Sequence, residues 1–224
     1  MNGKVIVVTG GFGALGRAVA AAARNGGARI AVIDRIEAGE AEFDLALGGV
    51  DLADAGAAGR AMDHVAQRLG SLDGLANLAG GFRWITLDEG GAEAWSELYR
   101  INAVTAATAS RAALPHLKAQ GGAIVSVAAA AAARAAGGMG PYAASKSAVL
   151  RLTESLAEEL KDAGVRVNAV SPTIIDTPQN RADMPKADFS RWVQPAALAD
   201  VILFLLSDAA RAVTGANLLV AGRV

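Results

Sequence analysis

Cysteine is absent from the 224 residues, which excludes disulfides, thiolate nucleophiles and cysteine-based zinc sites. Histidine occurs only as His64 and His116, far apart in segments of helical character, so no metal site is expected. An excess of one charge is missing too. The formal net charge is −1 and the basic residues are spread along the chain, which argues against a nucleic-acid or anionic-membrane surface. No apolar run approaches the ~20 residues of a membrane span. The N-terminus lacks a basic region and a cleavage pattern, because Val5 to Val8 is short and runs straight into glycines. The expectation is a cytoplasmic protein that acts on a small molecule.

What the chain does have is alanine, glycine and short β-branched runs, with 53% of residues hydrophobic. That length and composition fit one large domain of helices packed closely on a sheet. Lys4 to Val8 reads as a parallel strand buried on both faces. Thr9-Gly10-Gly11-Phe12-Gly13-Ala14-Leu15-Gly16 follows, and then a helix from Arg17 to Arg24. Strand, glycine turn and helix give the setting in which glycines permit a tight turn and close backbone approach. The helix N-terminus there presents free N–H groups to a pyrophosphate. A plain turn is the alternative.

A second strand, Arg29 to Ile33, ends at Asp34, 18 residues past Gly16. A carboxylate there accepts hydrogen bonds from an adenosine ribose 2′-OH and repels a 2′-phosphate, favouring NAD(H). NADP(H) stays open because the neighbouring Arg35 can hold a phosphate. Leu45 to Val50 reads as a third strand with Asp51-Leu52 at its end, near an adenine position. Leu72 to Gly81 reads as a fourth, running into Asn77-Leu78-Ala79-Gly80 and a further glycine turn. Helices are expected over 57–69 and 92–118, the second with Asn102 inside it, where a poor helix former points to a polar task.

Ala123 to Val127 reads as a fifth strand. The alanine-rich run 128–136 is open between helix and close-packed loop. Pro141 suits the first turn of a helix that puts Tyr142 and Lys146 on one face, one turn apart. A free phenol, with a pKa of about 10, transfers protons poorly at neutral pH, and a cation beside it favours the phenolate. That helix runs to Ala163, and Gly164 stops it. Val165 to Val170 is a sixth strand. Residues 171–195 form a long connection of the kind that serves as a lid or binding loop. A helix over 196–207 and a last strand over 217–220 complete the chain. The alternation implies a single-domain, three-layer αβα fold around a doubly wound Rossmann-type parallel sheet of about seven strands.

With the glycine turn, Asp34, Asn77 to Gly80, Asn102 and the Tyr142/Lys146 pair together, the chain resembles the short-chain dehydrogenase/reductase family over essentially its whole length. The resemblance implies that Tyr142 is the general acid/base, that Lys146 lowers its pKa and binds the nicotinamide ribose, and that Asn102 supports a proton relay. It assigns the dinucleotide to Gly10, Phe12, Gly13, Leu15 and Gly16, then Asp34, Arg35, Asp51, Leu52, Asn77, Ala79 and Gly80. Tyr142, Lys146, Pro172, Thr173 and Thr177 complete that set, and no metal is called for. A homodimer or homotetramer packed through the long helices is the expected assembly.

Three departures stand out. Ala14 takes the place of a family glycine, Pro172-Thr173 replaces Pro-Gly, and Ala129 occupies the position of the family's serine, thirteen residues before Tyr142. Ser126 has the wrong strand phase to replace it. Loss of a donor to a developing oxyanion costs several kcal/mol of transition-state stabilisation, on the order of 3. The segment Asp176-Thr177-Pro178-Gln179-Asn180-Arg181 with Met184 to Trp192 is similar to the loop of one branch, the dihydropteridine reductases, which also lack the serine. Hydride transfer to a flat conjugated acceptor is therefore expected, with Phe82, Ala129 and Trp192 on the substrate side and Phe82 or Trp192 stacking on it. The alternatives are an ordinary carbonyl or alcohol enzyme of the family, and a dinucleotide-binding sensor without turnover.

Overall fold

The computed structural model describes residues 1–37 and 43–224. Its centre is β1 (Val5–Thr9), whose five residues are all buried, as a parallel strand covered on both faces requires. Around it lie β2 (Arg29–Ile33), β3 (Leu45–Leu47), β4 (Gly74–Asn77), β5 (Ala123–Val127), β6 (Arg166–Pro172) and β7 (Asn217–Val220). All pair in parallel, in the order β3-β2-β1-β4-β5-β6-β7. The order reverses between β1 and β4, so the connections leaving these strands diverge and open a crevice at their carboxyl ends.

Two apolar cores make the three layers. Val5, Val7, Leu75 and Ile124 face α2 (Ala55–Leu69), α4 (Thr105–Gln120) and α5 (Gly140–Leu160). Ile6, Val8, Ile30 and Val125 face α1 (Ala14–Asn25) and α7 (Pro195–Leu206). Alternation along β1 assigns its valines to opposite sides, and each fully buried one contributes on the order of 2 kcal/mol. Thr9 ties the crevice together. Its hydroxyl accepts from the N–H groups of Leu78 and Ala79 at 3.0 and 3.1 Å, fixing the exit of β4 beside the exit of β1.

Several expected boundaries move. The third strand is three residues long, and the helix expected over 92–118 divides into α3 (Ala92–Tyr99), a π-helical turn (Arg100–Val104) and α4. The alanine run resolves into a loop with one 3₁₀ turn at Ala130–Ala132. The helix carrying Tyr142 starts at Gly140 and gives way to a 3₁₀ turn at Lys161–Ala163. The 171–195 connection holds β6 as far as Pro172, then α6 (Pro178–Asp183) and a 3₁₀ turn at Phe189–Arg191. Among the described residues no helix is long and apolar enough to cross a membrane.

Candidate active site

The crevice between the β1 and β4 exits is a cleft of about 370 Å³ running from Asp34 and Asp51 past Gly10 and Gly16 to Gly80 and Thr177. Its floor is built by close approach. A Cβ on Gly16 would fall 2.3 Å from Gly10 O, and one on Gly10, which has φ +66°, would fall 2.9 Å from Ala79 Cα. No side chain caps Gly13 at the start of α1, and the first turn of that helix holds no acid. Its N–H groups and positive dipole end therefore face the cleft without an internal anion. A backbone cradle of this size, with a carboxylate at one end, fits a dinucleotide.

At the adenosine end, Asp34 accepts from Phe12 N–H at 3.0 Å and Ile36 N–H at 3.1 Å. A carboxylate has about four acceptor positions, so capacity remains for a ribose hydroxyl. Arg35 and Leu52 also line the cleft. Asp51 is held below the usual carboxylate range, chiefly by its hydrogen bond from Arg100. Leu15, Ala79 and Gly80 lie in the lining, whereas the Phe12 ring turns to Phe43, 6.5 Å away. Asn77 is buried outside the cleft lining and cross-links β4 to α4 by donating to Ser110 Oγ at 2.9 Å.

At the other end Gly80 touches two polar side chains: an added Cβ would sit 2.4 Å from Asn102 Oδ1 and 3.4 Å from Lys146 Nζ. Asn102 lies in the π-helical turn, and its amide pairs with the Gly81 backbone in both directions at 3.0 Å. It donates further to Ser145 Oγ, which in turn donates to Tyr142 O at 2.7 Å. One side chain thus joins the β4 exit, the π turn and α5. Gly80→Ala is expected to displace Asn102, destabilising the protein by about 1–3 kcal/mol in denaturant titration and lowering turnover with it.

Tyr142 and Lys146 lie one turn apart on α5, as their spacing requires. Their charges do not behave as expected from the sequence. Burial pushes the Tyr142 phenol up to about 12 and the Lys146 ammonium down to about 8. Nζ donates to Val127 O at 2.8 Å. Desolvation by burial is the cause in both groups, so the phenol of the ligand-free protein is a neutral proton donor at pH 7. Phe82, 53% exposed, meets it edge-on with ring centroids 4.9 Å apart.

Ala129 is buried at the start of the loop after β5, and Ser126 lies within the sheet, its hydroxyl 3.5 Å from the Asn77 amide. One expectation is corrected. Trp192 is 5% exposed and packs on Phe189 at 4.7 Å, so it builds the 171–195 segment and presents no stacking face. Thr173 donates to Ala221 O at 2.7 Å, whereas Thr177 reaches the cleft and caps α6. Sequence reading missed Trp84, Ser145 and the Arg100–Asp51 ion pair. Each acquires its role from a partner distant in the chain.

A switch-point cleft shaped by backbone, ending at Gly80 beside Asn102 and the Lys146 of the helix that carries Tyr142, is the working end of a nicotinamide-dependent oxidoreductase. Comparison with known proteins agrees. A family model described as enoyl-(acyl carrier protein) reductase matches residues 10–222. D-threitol dehydrogenase of Mycolicibacterium smegmatis is 35% identical over 99% of this chain and 93% of its own. The inactive 2-(S)-hydroxypropyl-CoM dehydrogenase 2 of Xanthobacter autotrophicus is 36% identical over 88% and 95%. Carveol dehydrogenase from Mycobacterium avium, solved in complex with NAD, superposes with a TM-score of 0.87 at 27% identity, covering 99% of this chain and 97% of that one. The chain belongs to the short-chain dehydrogenase/reductase family and is an NAD(P)-dependent oxidoreductase.

Proposed function

We propose that this enzyme reduces a flat, conjugated acceptor of the quinonoid pterin type, using NADH. The observation that carries the reading is Ala129 at the family's serine position. A carbonyl acceptor would have lost one of two donors to its developing oxyanion, which lowers rates about 10²–10³-fold. A conjugated C=N acceptor develops no alkoxide and needs one proton, which neutral Tyr142 can give. When bound, the dinucleotide supplies hydride from its nicotinamide ring. Lys146 and Thr177 would border that ring, and the Gly10–Gly16 turn would hold the diphosphate. The exposed Phe82 face beside Tyr142 offers a planar molecule a stacking surface.

Alcohol oxidation is the second reading, favoured by the D-threitol relative. NADH consumption measured with quinonoid dihydropterin, a quinone and a simple ketone separates the two. Preference for the pterin supports the proposal. Preference for the ketone, further raised by Ala129→Ser, contradicts it, as does NADH binding with no acceptor turned over.

NADH is favoured over NADPH because the Asp34 carboxylate stands at the ribose position. Asp34→Asn keeps the shape and removes the charge, so the NADPH-to-NADH ratio of kcat/KM should rise about tenfold, the scale of one charged hydrogen bond. An unchanged ratio would place selectivity elsewhere. A homodimer or homotetramer through α4 and α5 goes with this reading, and light scattering on the purified protein tests it.

A further inference from the structure

The acceptor side of Tyr142 is bounded by two irregular segments, residues 81–86 after β4 and residues 133–139 before α5. Two hydrogen bonds join them. Ile85 N–H donates to Gly138 O at 2.8 Å, and the Trp84 indole N–H donates to Gly137 O at 3.0 Å. The Trp84 ring also lies on Gly138, so closely that a Cβ there would fall 2.2 Å from Trp84 Cε2. Gly138 has φ +71°, so the position excludes a side chain both by backbone conformation and by the ring above it.

The Trp84 contact continues the one already described. Phe82 precedes Trp84 by two residues and meets Tyr142, which follows Gly138 by four. The 81–86 segment is therefore pinned at two points, by Trp84 on Gly138 of the 133–139 segment and by Phe82 on Tyr142 of α5. Both rings remain about half exposed, Phe82 at 53% and Trp84 at 57%, in a chain with 4% aromatic residues. Trp84 is not part of the cofactor cleft, whose lining ends at Gly81 on this side.

We propose that Trp84 is a positioning residue for the acceptor: clamped on the Gly137–Gly138 turn, it holds Phe82 against Tyr142 and sets the width of the slot a planar acceptor enters. This rests on the reading that Tyr142 delivers the proton.

The test is steady-state kinetics of the full chain with NADH and whichever acceptor the wild-type enzyme reduces, together with NADH binding by fluorescence. Trp84→Ala should raise the acceptor KM about tenfold, the scale of one hydrogen bond plus a ring contact, with kcat and NADH affinity within about twofold. Trp84→Phe keeps the ring and should recover part of the loss. Gly138→Ala, which pushes the ring away from the other side, should reproduce the KM rise. An unchanged acceptor KM in Trp84→Ala overturns the proposal, and so does a loss of NADH affinity in step with thermal stability. If Trp84→Ala does not fold, Trp84→Phe decides by a raised or unchanged KM. A wild-type enzyme that reduces only a non-planar acceptor refutes the flat-acceptor reading, while the KM shift for that acceptor still judges Trp84.

Discussion

Tyr142→Phe should lower turnover about 10²–10⁴-fold, the usual contribution of a positioned proton donor, while NADH affinity stays within about twofold. The substitution removes one hydroxyl and keeps the ring that Phe82 contacts. The Phe82–Tyr142 edge contact and the Ser145 bond to the residue 142 carbonyl therefore persist. Because burial keeps the phenol protonated to about 12, the ligand-free enzyme holds its proton ready throughout the physiological range. Reduction rates should therefore be flat between pH 6 and about 8 if Tyr142 alone controls them. Stopped-flow measurement of NADH oxidation in wild type and variant checks both points. Retained turnover in the variant would remove Tyr142 from the reaction.

Lys146→Met should abolish turnover to a similar degree and, in the same protein, raise stability. Lys146 is buried, and its pKa falls from an ordinary 10.5 to about 8 through desolvation. At about 1.4 kcal/mol per pH unit, carrying that charge at neutral pH costs the fold roughly 3 kcal/mol. Losing the bond from Nζ to Val127 O returns about 1 kcal/mol of this, leaving a net gain of about 2 kcal/mol for a methionine of similar shape. Its melting temperature should rise by roughly 5 °C.

The sign follows from proton binding. Between pH 8 and 10.5 the unfolded chain keeps the Lys146 proton and the native protein releases it, so wild-type stability rises with pH across that window. Tyr142 opposes this only above pH 10, where the unfolded phenol ionises first. Lys146→Met should lack the rise. A variant less stable than wild type at pH 7 would show that the ammonium is not buried at a cost. Stability sacrificed at the site that does the chemistry is the trade seen in many enzymes.

The sheet was legible because each strand carries its own signal. Val5 to Val8 could be read without knowledge of the neighbours that bury it, and the glycine turn follows from local steric need. Residues whose role depends on distant partners were harder. Asn102 was visible as an odd residue in a helix. The π turn around it depends on Gly81, 21 residues earlier, which its amide pairs with. The pairing of Tyr142 with Lys146 followed from spacing, whereas the phenol's pKa did not, because it is set by burial that only the folded chain supplies.

Trp192 does not take the stacking role expected of it, and Trp84, of which none was expected, is the exposed ring. Trp192 is buried against Phe189, whereas Trp84 lies in an irregular stretch with no periodicity to mark it. Thr177 reached the cleft as its place in the chain implied. Thr173 was captured by the C-terminal tail, a contact over 48 residues that no local pattern encodes.

The chain has only two tyrosines, Tyr99 and Tyr142, so phenolate absorbance of wild type minus Tyr142→Phe reports a single group. Alkaline titration of that difference, without nucleotide and then with saturating NAD, is the most direct test of a dinucleotide working on this phenol. The account predicts a midpoint near 12 in the free protein and a fall toward neutrality when the positively charged nicotinamide is bound. A midpoint that ignores the nucleotide would contradict it.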